Sequence, residues 1–415
     1  MREDSKELLA KALTEIRRLK TENAALKAPA AAEPIAIVGM ACRFPQCPSP
    51  EAYWSFLAEG RSAIQPTPAD RAGDTTGTFG SYLDDVDQFD AAFFGISPKE
   101  AQSLDPQQRL LLELAWHAFE SGNIRPDTLA GREIGVFVGM SGIDYALKLF
   151  APENRAKIDP YFGTGSTLSP AAGRLSYFLK VNGPSMVVDT ACSSSLVAIH
   201  LASESLRRGE CEAALVAGVN RILGPDLTIN FAQSGLLSSD GKCYTFDERA
   251  QGYSRGEGGG ALVLKRLRDA EAAGDTIHAL ILGSAVNQDG GSGGLTVPSG
   301  PAQQKVVRRA LSVAGLTPAD IDYVETHGTA TPLGDPIEAH ALSEVFAAGR
   351  TQPLAIGSAK TNFGHLEAAA GMASSFKVIQ SLRHEALPAH LNFSQPSSKI
   401  TWAGSGLRVV DTLQP

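Results

Sequence analysis

The sequence has 415 residues, 43% of them hydrophobic and 20% charged, which is the composition of an ordinary globular protein with a sizeable core. Its 37 Lys and Arg against 45 Asp and Glu give a formal net charge of -8, which argues against a nucleic acid or an anionic membrane as the main partner. There is no apolar run long enough to span a bilayer, and the charged N-terminus lacks the apolar stretch of a signal peptide, so we expect a soluble, cytoplasmic protein.

Residues 1–28 are predicted to form a coiled-coil helix. Heptad positions a and d are occupied by Leu9, Ala12, Ile16, Leu19, Asn23 and Leu26. In a parallel pair of such helices Glu15 faces Lys20 across the seam, and Glu22 faces Lys27 in the same way. The polar residue at position a, Asn23, favours a two-stranded parallel coil. A single solvated helix is the alternative, although short isolated helices are only marginally stable in water.

A linker at residues 29–33 follows, because Pro29 cannot continue a helix and Pro34 keeps the residue before it extended. The main domain is predicted to span residues 34–415, where short apolar runs alternate with helical patterns, as in a layered α/β fold. Strands are predicted at residues 35–39, 134–138, 185–189, 214–219, 261–264, 278–286, 323–325 and 354–358. Helices are predicted at residues 107–120, 194–208, 302–314, 337–347 and 366–384.

The segment around Cys192 is the first candidate for chemistry. An apolar strand ends at Asp189, small residues follow, and an amphipathic helix then begins. Cys192 is therefore expected at a strand-to-helix turn, where the helix amides favour a thiolate and could bind an oxyanion. Taken alone, a single cysteine is more often a small buried apolar residue. The five cysteines contain no CxxC pair, and we expect them to be reduced.

Two histidines are predicted at corresponding strand ends. His327 follows the strand at 323–325 in a loop rich in Gly and Thr, and His365 follows the strand at 354–358. Because ligands of α/β sheets gather at the carboxyl ends of strands, Cys192, His327 and His365 are expected to meet in one site. The residues alone indicate a thiol nucleophile with two imidazoles, and the alternative is that each histidine is structural. No HExxH pattern is present, and no metal site is predicted.

Five short motifs resemble those of a ketosynthase domain from a type I polyketide synthase. They are EPIAIVGMACRFP at 33–45, LDPQQR at 104–109, DTACSS at 189–194, ETHGT at 325–329 and KTNFGH at 360–365. The likeness extends from about residue 33 to the end of the sequence. It implies a thiolase-like fold, five layers in the order α-β-α-β-α, and a homodimer. The N-terminal coil similarly resembles docking helices, which implies an upstream polyketide synthase subunit as a partner.

The resemblance also implies roles for the candidate residues. Cys192 would take an acyl chain from an acyl carrier protein thioester. His327 and His365 would serve the decarboxylative Claisen condensation of that chain with a malonyl-type unit. Lys360 is grouped with these catalytic residues, since it could hold a polar network near His365. No metal or bound cofactor is implied, because the substrates are carried on phosphopantetheine.

Thr329 and Thr331 are suited to hydrogen-bond the phosphopantetheine arm, and loop capping is the alternative for both.

Two departures from the family pattern are visible. The family's C-terminal strand and its Asn-Ala-His motif would follow residues 407–411, and we expect the main domain to lack them. The segment MSGIDY at 140–145 also differs from the form common in chain-extending modules, so a different acyl specificity is expected.

Two other functions stay open at this stage. The first is a non-condensing partner that only docks carrier proteins or sets dimer geometry, although the intact Cys192, His327 and His365 argue against it. The second is a thiolase-like or acyl-CoA condensing enzyme, which would need a second catalytic cysteine. Neither Cys211 nor Cys243 lies in a suitable loop.

Overall fold

The computed structural model describes residues 32–72 and 78–415. The predicted coiled coil at 1–28 and most of the predicted linker lie outside these residues and stay predictions. The strands are, in chain order, β1 Ile35–Arg43, β2 Gln65–Pro66, β3 Phe79–Ser81, β4 Ile134–Gly139, β5 Ser185–Val188, β6 Ala213–Asn220, β7 Arg255–Gly256, β8 Gly258–Arg266, β9 Ala279–Ile281, β10 Tyr323–Glu325, β11 Leu354–Gly357 and β12 Leu407–Val409.

The α-helices are Pro50–Ala58, Ala69–Ala72, Pro98–Ser103, Pro106–Ser121, Asp144–Leu149, Tyr161–Ser166, Pro170–Leu179, Ser194–Arg208, Asp226–Gln233, Leu267–Ala273, Gly300–Ala314, Gly334–Phe346, Lys360–Phe363 and Ala370–His384. Short 3-10 helices lie at Pro126–Thr128, Pro152–Lys157, Ala191–Ser193, Pro318–Asp320 and Glu367–Ala369. None of the helices in the described part of the chain is long and apolar enough to cross a membrane.

Two sheets form the centre of the domain. The larger has six strands in the order β5-β4-β6-β8-β1-β9, in which β4 runs parallel to β5 and β6 while β8 runs antiparallel to β6 and β1. The second sheet has the order β10-β11-β12 and is parallel throughout. Parallel strands bring their carboxyl ends to one edge, so the loops after β10 and β11 lie side by side.

Helices cover both sheets, and the result is five layers. Pro106–Ser121 and Pro170–Leu179 pack on the outer face of the large sheet. Ser194–Arg208 and Ala370–His384 lie on its inner face and form the middle layer, which the ion pair of Lys377 with Glu325 connects to the second sheet. Gly300–Ala314 and Gly334–Phe346 cover the far side of the second sheet. This is the α-β-α-β-α order that the family resemblance implies. Apolar cores lie on both faces of the large sheet and under the outer helices of the second sheet.

Two glycines bring the helix Ser194–Arg208 unusually close to the large sheet. A Cβ atom on Gly139 would lie 2.6 Å from the Ser195 nitrogen, and one on Gly218 would lie 2.7 Å from the Ser195 Cβ. Real Cβ atoms do not approach other atoms this closely, so only glycine fits at either strand position. The first turn of this helix is thereby pressed against β4 and β6.

Most predicted elements are present, with two informative differences. The strand predicted at 278–286 pairs with β1 only over Ala279–Ile281. The helix predicted at 366–384 begins at Ala370, because the backbone of Glu367 has a φ of 49° and cannot belong to a right-handed α-helix. A 3-10 turn at Glu367–Ala369 precedes the helix instead.

Candidate active site

Cys192 lies at a sharp turn between β5 and the helix Ser194–Arg208. The preceding Ala191 has a φ of 53°, in the left-handed region, which reverses the chain and leaves Cys192 at the tip of the turn. Side chains on both sides hold this conformation. Asp189 accepts from the Ala191 N–H at 3.0 Å, and the Ser194 hydroxyl accepts from the Thr190 N–H at 2.9 Å and donates to the Ala191 carbonyl at 2.7 Å. The predicted strand-to-helix turn is therefore present.

His365 is buried and its ring orientation is fixed. Its Nδ1 accepts a hydrogen bond from the backbone N–H of Glu367 at 2.9 Å, so the proton of the neutral ring is carried by Nε2. Burial lowers the pKa of His365 well below its ordinary value, and the nearby charge of Lys360 acts in the same direction. His365 is thus a neutral donor through Nε2.

His327 lies beside His365, with ring centroids 5.6 Å apart and ring planes at 85°. Its loop is held by Glu338, whose carboxylate accepts from the N–H groups of His327 at 2.7 Å and Gly328 at 2.9 Å. The His327 side chain is partly exposed to solvent, but many protein atoms surround the ring. The resulting desolvation, together with the charge of Lys360, lowers the pKa of His327 to about 3. Both imidazoles are therefore neutral at physiological pH.

Lys360 is the cation behind the site. Its side chain is buried, and desolvation lowers its pKa, although the nearby carboxylates of Glu325 and Glu338 act in the opposite direction. Its charge lowers the pKa of His327 and also acts on Cys192. Even so, desolvation raises the pKa of Cys192 above the ordinary value. The net direction is opposite to the one expected from the helix terminus alone, because burial of the thiol outweighs the neighbouring positive charge.

The two threonines occupy the loop after His327. Thr329 is buried, and its hydroxyl lies 3.3 Å from that of Thr331. The Thr331 hydroxyl also accepts from the Gly334 N–H at 3.1 Å, at the start of the helix Gly334–Phe346. Thr331 therefore has the capping contact that the sequence leaves as an alternative.

Sequence reasoning missed several residues that hold the site together. Glu325 accepts from the Ala359 N–H at 2.5 Å and pairs with the Lys377 ammonium at 2.9 Å, so it links the two histidine loops. Glu338 and Glu367, whose N–H contacts are described above, are the others. These partners of Glu325 and Glu338 lie at least 10 positions away along the chain, and only the position of Glu338 in the first turns of a helix gave a local signal. Glu367 contacts His365 only two positions before it, but this contact depends on a backbone conformation that the sequence does not indicate. In the part of the chain that the structure describes, no group of three or more His, Cys, Asp or Glu side chains is arranged to hold a metal ion.

Comparisons with known proteins match this geometry. The family model "Beta-ketoacyl synthase, N-terminal domain" matches residues 32–270, and "Beta-ketoacyl synthase, C-terminal domain" matches residues 278–394. Among solved structures, the ketosynthase from module 6 of the bacillaene synthase from Bacillus subtilis 168 superimposes with a TM-score of 0.86 at 41% identity, covering 92% of this chain and 67% of that one.

Two curated relatives are multidomain polyketide synthases. The chain is 48% identical over 424 residues to one of the phenolphthiocerol/phthiocerol polyketide synthase proteins of Mycobacterium tuberculosis, which covers 98% of this chain and 19% of that protein. It is 49% identical over 385 residues to erythronolide synthase EryA3 of Saccharopolyspora erythraea, covering 92% of this chain and 12% of that protein. The chain thus spans less than a fifth of either relative.

Proposed function

Since the chain belongs to the β-ketoacyl synthase family, as a ketosynthase domain of the kind that elongates chains in modular polyketide synthases, we propose that Cys192 carries the growing acyl chain and that His327 and His365 activate the extender unit. The observation that carries this proposal is the fixed ring of His365. This ring presents a neutral Nε2–H beside the second neutral imidazole, that of His327. The buried Lys360 lowers the pKa values of both imidazoles and also acts on the pKa of Cys192.

In the first half-reaction, the Cys192 sulfur attacks the thioester carbonyl of an acyl chain on a carrier protein. A bond forms between Sγ and the carbonyl carbon, and the bond to the phosphopantetheine sulfur breaks. The thiol proton passes to the departing phosphopantetheine thiolate. The helix amides that follow the turn supply donors for the developing oxyanion.

In the second half-reaction, a malonyl-type unit on a carrier protein loses carbon dioxide. The electron pair of the broken C–C bond moves onto the thioester oxygen as an enolate. Neutral Nε2–H donors from His327 and His365 stabilise that charge in a site where burial strengthens the interaction. The enolate carbon then attacks the acyl group on Cys192, and Sγ leaves as a thiolate. Burial keeps both imidazoles unprotonated by lowering their pKa values, and Lys360 supports this step because its charge acts in the same direction.

The phosphopantetheine arm would pass Thr329 and Thr331 on its way to Cys192. Thr329 lies in the loop that carries His327, and its hydroxyl has only the 3.3 Å contact with Thr331 among the hydrogen bonds of the described residues. Acyl carrier protein domains are accordingly the partners of this site. No metal or organic cofactor takes part in the proposed steps.

A homodimer is proposed on the basis of the free edge of the large sheet. Strand β5 is the terminal strand of that sheet, and Ser185 and Met186 on it are exposed. Near this edge Tyr177 is 85% exposed and Leu196 is 49% exposed. An apolar edge of this kind favours pairing with a second copy. The predicted coil at 1–28 would then dock the carboxyl end of an upstream synthase subunit.

Intact-protein mass spectrometry tests the assignment of Cys192. After incubation with an acyl thioester, the unmodified protein should gain the mass of one acyl group. Cys192→Ala should gain none, while Cys243→Ala, which alters a fully buried cysteine, should load as the parent does. An acyl adduct that persists in Cys192→Ala would overturn the assignment.

A further inference from the structure

The backbone at Glu367 adopts an unfavourable conformation next to His365. Its φ of 49° lies in the left-handed region, which costs energy for any residue with a Cβ atom. This conformation directs the Glu367 N–H at Nδ1 of His365, 2.9 Å away. Some other interaction must therefore hold Glu367 in place.

That interaction is an ion pair with Arg255. The guanidinium contacts both carboxylate oxygens of Glu367, with Nε to Oε1 at 2.6 Å and a terminal nitrogen to Oε2 at 3.1 Å. The Arg255 side chain is 3% exposed and that of Glu367 is 12% exposed. A further guanidinium nitrogen donates to the hydroxyl of Thr228 at 2.7 Å, and the group lies 5.4 Å from the centre of the Phe231 ring. A bidentate pair held on so many sides has a single geometry.

The main chain around Arg255 also holds His365. The two residues form a parallel β-bridge. The His365 N–H donates to the Ser254 carbonyl at 2.7 Å, and the Gly256 N–H donates to the His365 carbonyl at 2.8 Å. The same short segment thus fixes the backbone of His365 directly and its ring through Glu367.

We infer that Arg255 and Glu367 are positioning residues for the condensation, because their ion pair holds the Glu367 N–H on Nδ1 of His365 and thereby keeps the imidazole proton on Nε2. This inference rests on the enolate-stabilising role proposed for His365. If the N–H moves away, Nδ1 can carry the proton in part of the molecules. In those molecules Nε2 has no hydrogen to donate to the enolate.

A rival explanation is that the charge of Glu367 matters by itself, since it raises the pKa of Cys192. Glu367→Ala and Glu367→Gly separate the two. Both variants remove the carboxylate and leave the same Arg255 without it, so their electrostatic change is equal. Only glycine adopts a φ near 49° without strain and keeps the N–H on His365. The pair is therefore a matched comparison of backbone position.

The assay follows both half-reactions, acyl loading on Cys192 by mass spectrometry and product formation from a malonyl-type unit on a carrier protein. We expect Glu367→Ala to load acyl groups nearly as the parent does but to condense on the order of 10-fold more slowly or worse. Glu367→Gly should stay within about threefold of the parent. In the spectrum of 15N-labelled histidine, Nε2 of His365 should be protonated in the parent and in Glu367→Gly, and a mixture of tautomers should appear in Glu367→Ala.

Three results would overturn the inference. They are a Glu367→Gly variant as slow as Glu367→Ala, a Glu367→Ala variant that condenses normally, and an unchanged His365 tautomer in Glu367→Ala. The variant His365→Ala distinguishes this failure from failure of the proposed function. If His365→Ala condenses normally, the role of His365 itself is wrong. If it does not condense while Glu367→Ala does, only the positioning role is wrong.

Discussion

His390 should make the folded domain sensitive to mild acid. It is buried, its Nδ1 accepts from the Ser358 N–H at 3.1 Å, and its Nε2 donates to the Thr245 carbonyl at 3.1 Å. Desolvation, with the charge of Lys377, lowers its pKa to about 3. The neutral ring therefore joins the end of β11, from which Lys360 follows, to the segment around residue 245.

The magnitude follows from the difference in pKa between the folded and unfolded states. The unfolded chain has an ordinary histidine pKa of about 6.5, so as the pH falls it binds a proton before the folded chain does. The contribution of His390 to the free energy of unfolding is complete above about pH 6.5 and is lost progressively toward about pH 3. At about pH 5 the loss amounts to about 2 kcal/mol, and at about pH 4 to about 3 kcal/mol.

The test compares variants, because Asp105 and Asp335, whose pKa values burial raises to about 7, change stability with pH in the opposite direction. His390→Gln keeps one acceptor and one donor but cannot titrate. Urea unfolding at about pH 7 and about pH 5 should show a loss of stability about 2 kcal/mol smaller in His390→Gln than in the parent. His384→Gln, at an exposed histidine stacked on Trp54, is the matched control and should behave as the parent does. An equal pH dependence in His390→Gln and the parent would refute the reasoning.

Three further outcomes are expected. His327→Ala and His365→Ala should retain acyl loading while product formation falls on the order of 10²-fold or more, as mass spectrometry and product analysis can show, and equal loss of both half-reactions would contradict the division of roles. Lys360→Met should raise the pKa of His327 from about 3 toward its ordinary value, so the acidic limb of the pH profile of the condensation rate should move to higher pH. The same change removes a charge that lowers the pKa of Cys192, so alkylation of Cys192 by iodoacetamide should also require higher pH. Unchanged pH profiles would contradict this. Removal of residues 1–28 should leave a dimeric, acylatable domain that accepts chains poorly from its upstream carrier protein, which chain-transfer assays and light scattering can measure; a monomeric product or unchanged transfer would be evidence against docking.

Local patterns predicted the parts of the site that depend on local structure. The strand Tyr323–Glu325 and the helix Ser194–Arg208 have the predicted bounds. Apolar periodicity and the flanking Ser193 and Gly209 define the helix. The carboxyl ends of the strands placed His327 and His365 together, and their rings are indeed adjacent. These inferences need only the order of strands and loops along the chain.

Long-range contacts account for what the sequence did not predict. The ion pair of Arg255 with Glu367 joins residues 112 positions apart, and no periodic pattern connects them. The direction of the Cys192 pKa shift depends on how deeply the turn is buried, which a helix terminus seen in sequence cannot indicate. Short helices such as Asp226–Gln233, which carries the Thr228 and Phe231 contacts of Arg255, are below the length at which apolar periodicity is decisive.

The contact of Gly139 and Gly218 with the first turn of the helix Ser194–Arg208 has a consequence for predicting from genome sequences whether such a domain is active. A ketosynthase is readily taken as competent when its cysteine and two histidines are intact. Any side chain at Gly139 or Gly218 would collide with Ser195 and push the turn that carries Cys192 outward, although neither glycine has a side chain that could take part in the chemistry. A silent module could therefore keep all three reactive residues and still be inactive, and its defect would be visible only at these two strand positions.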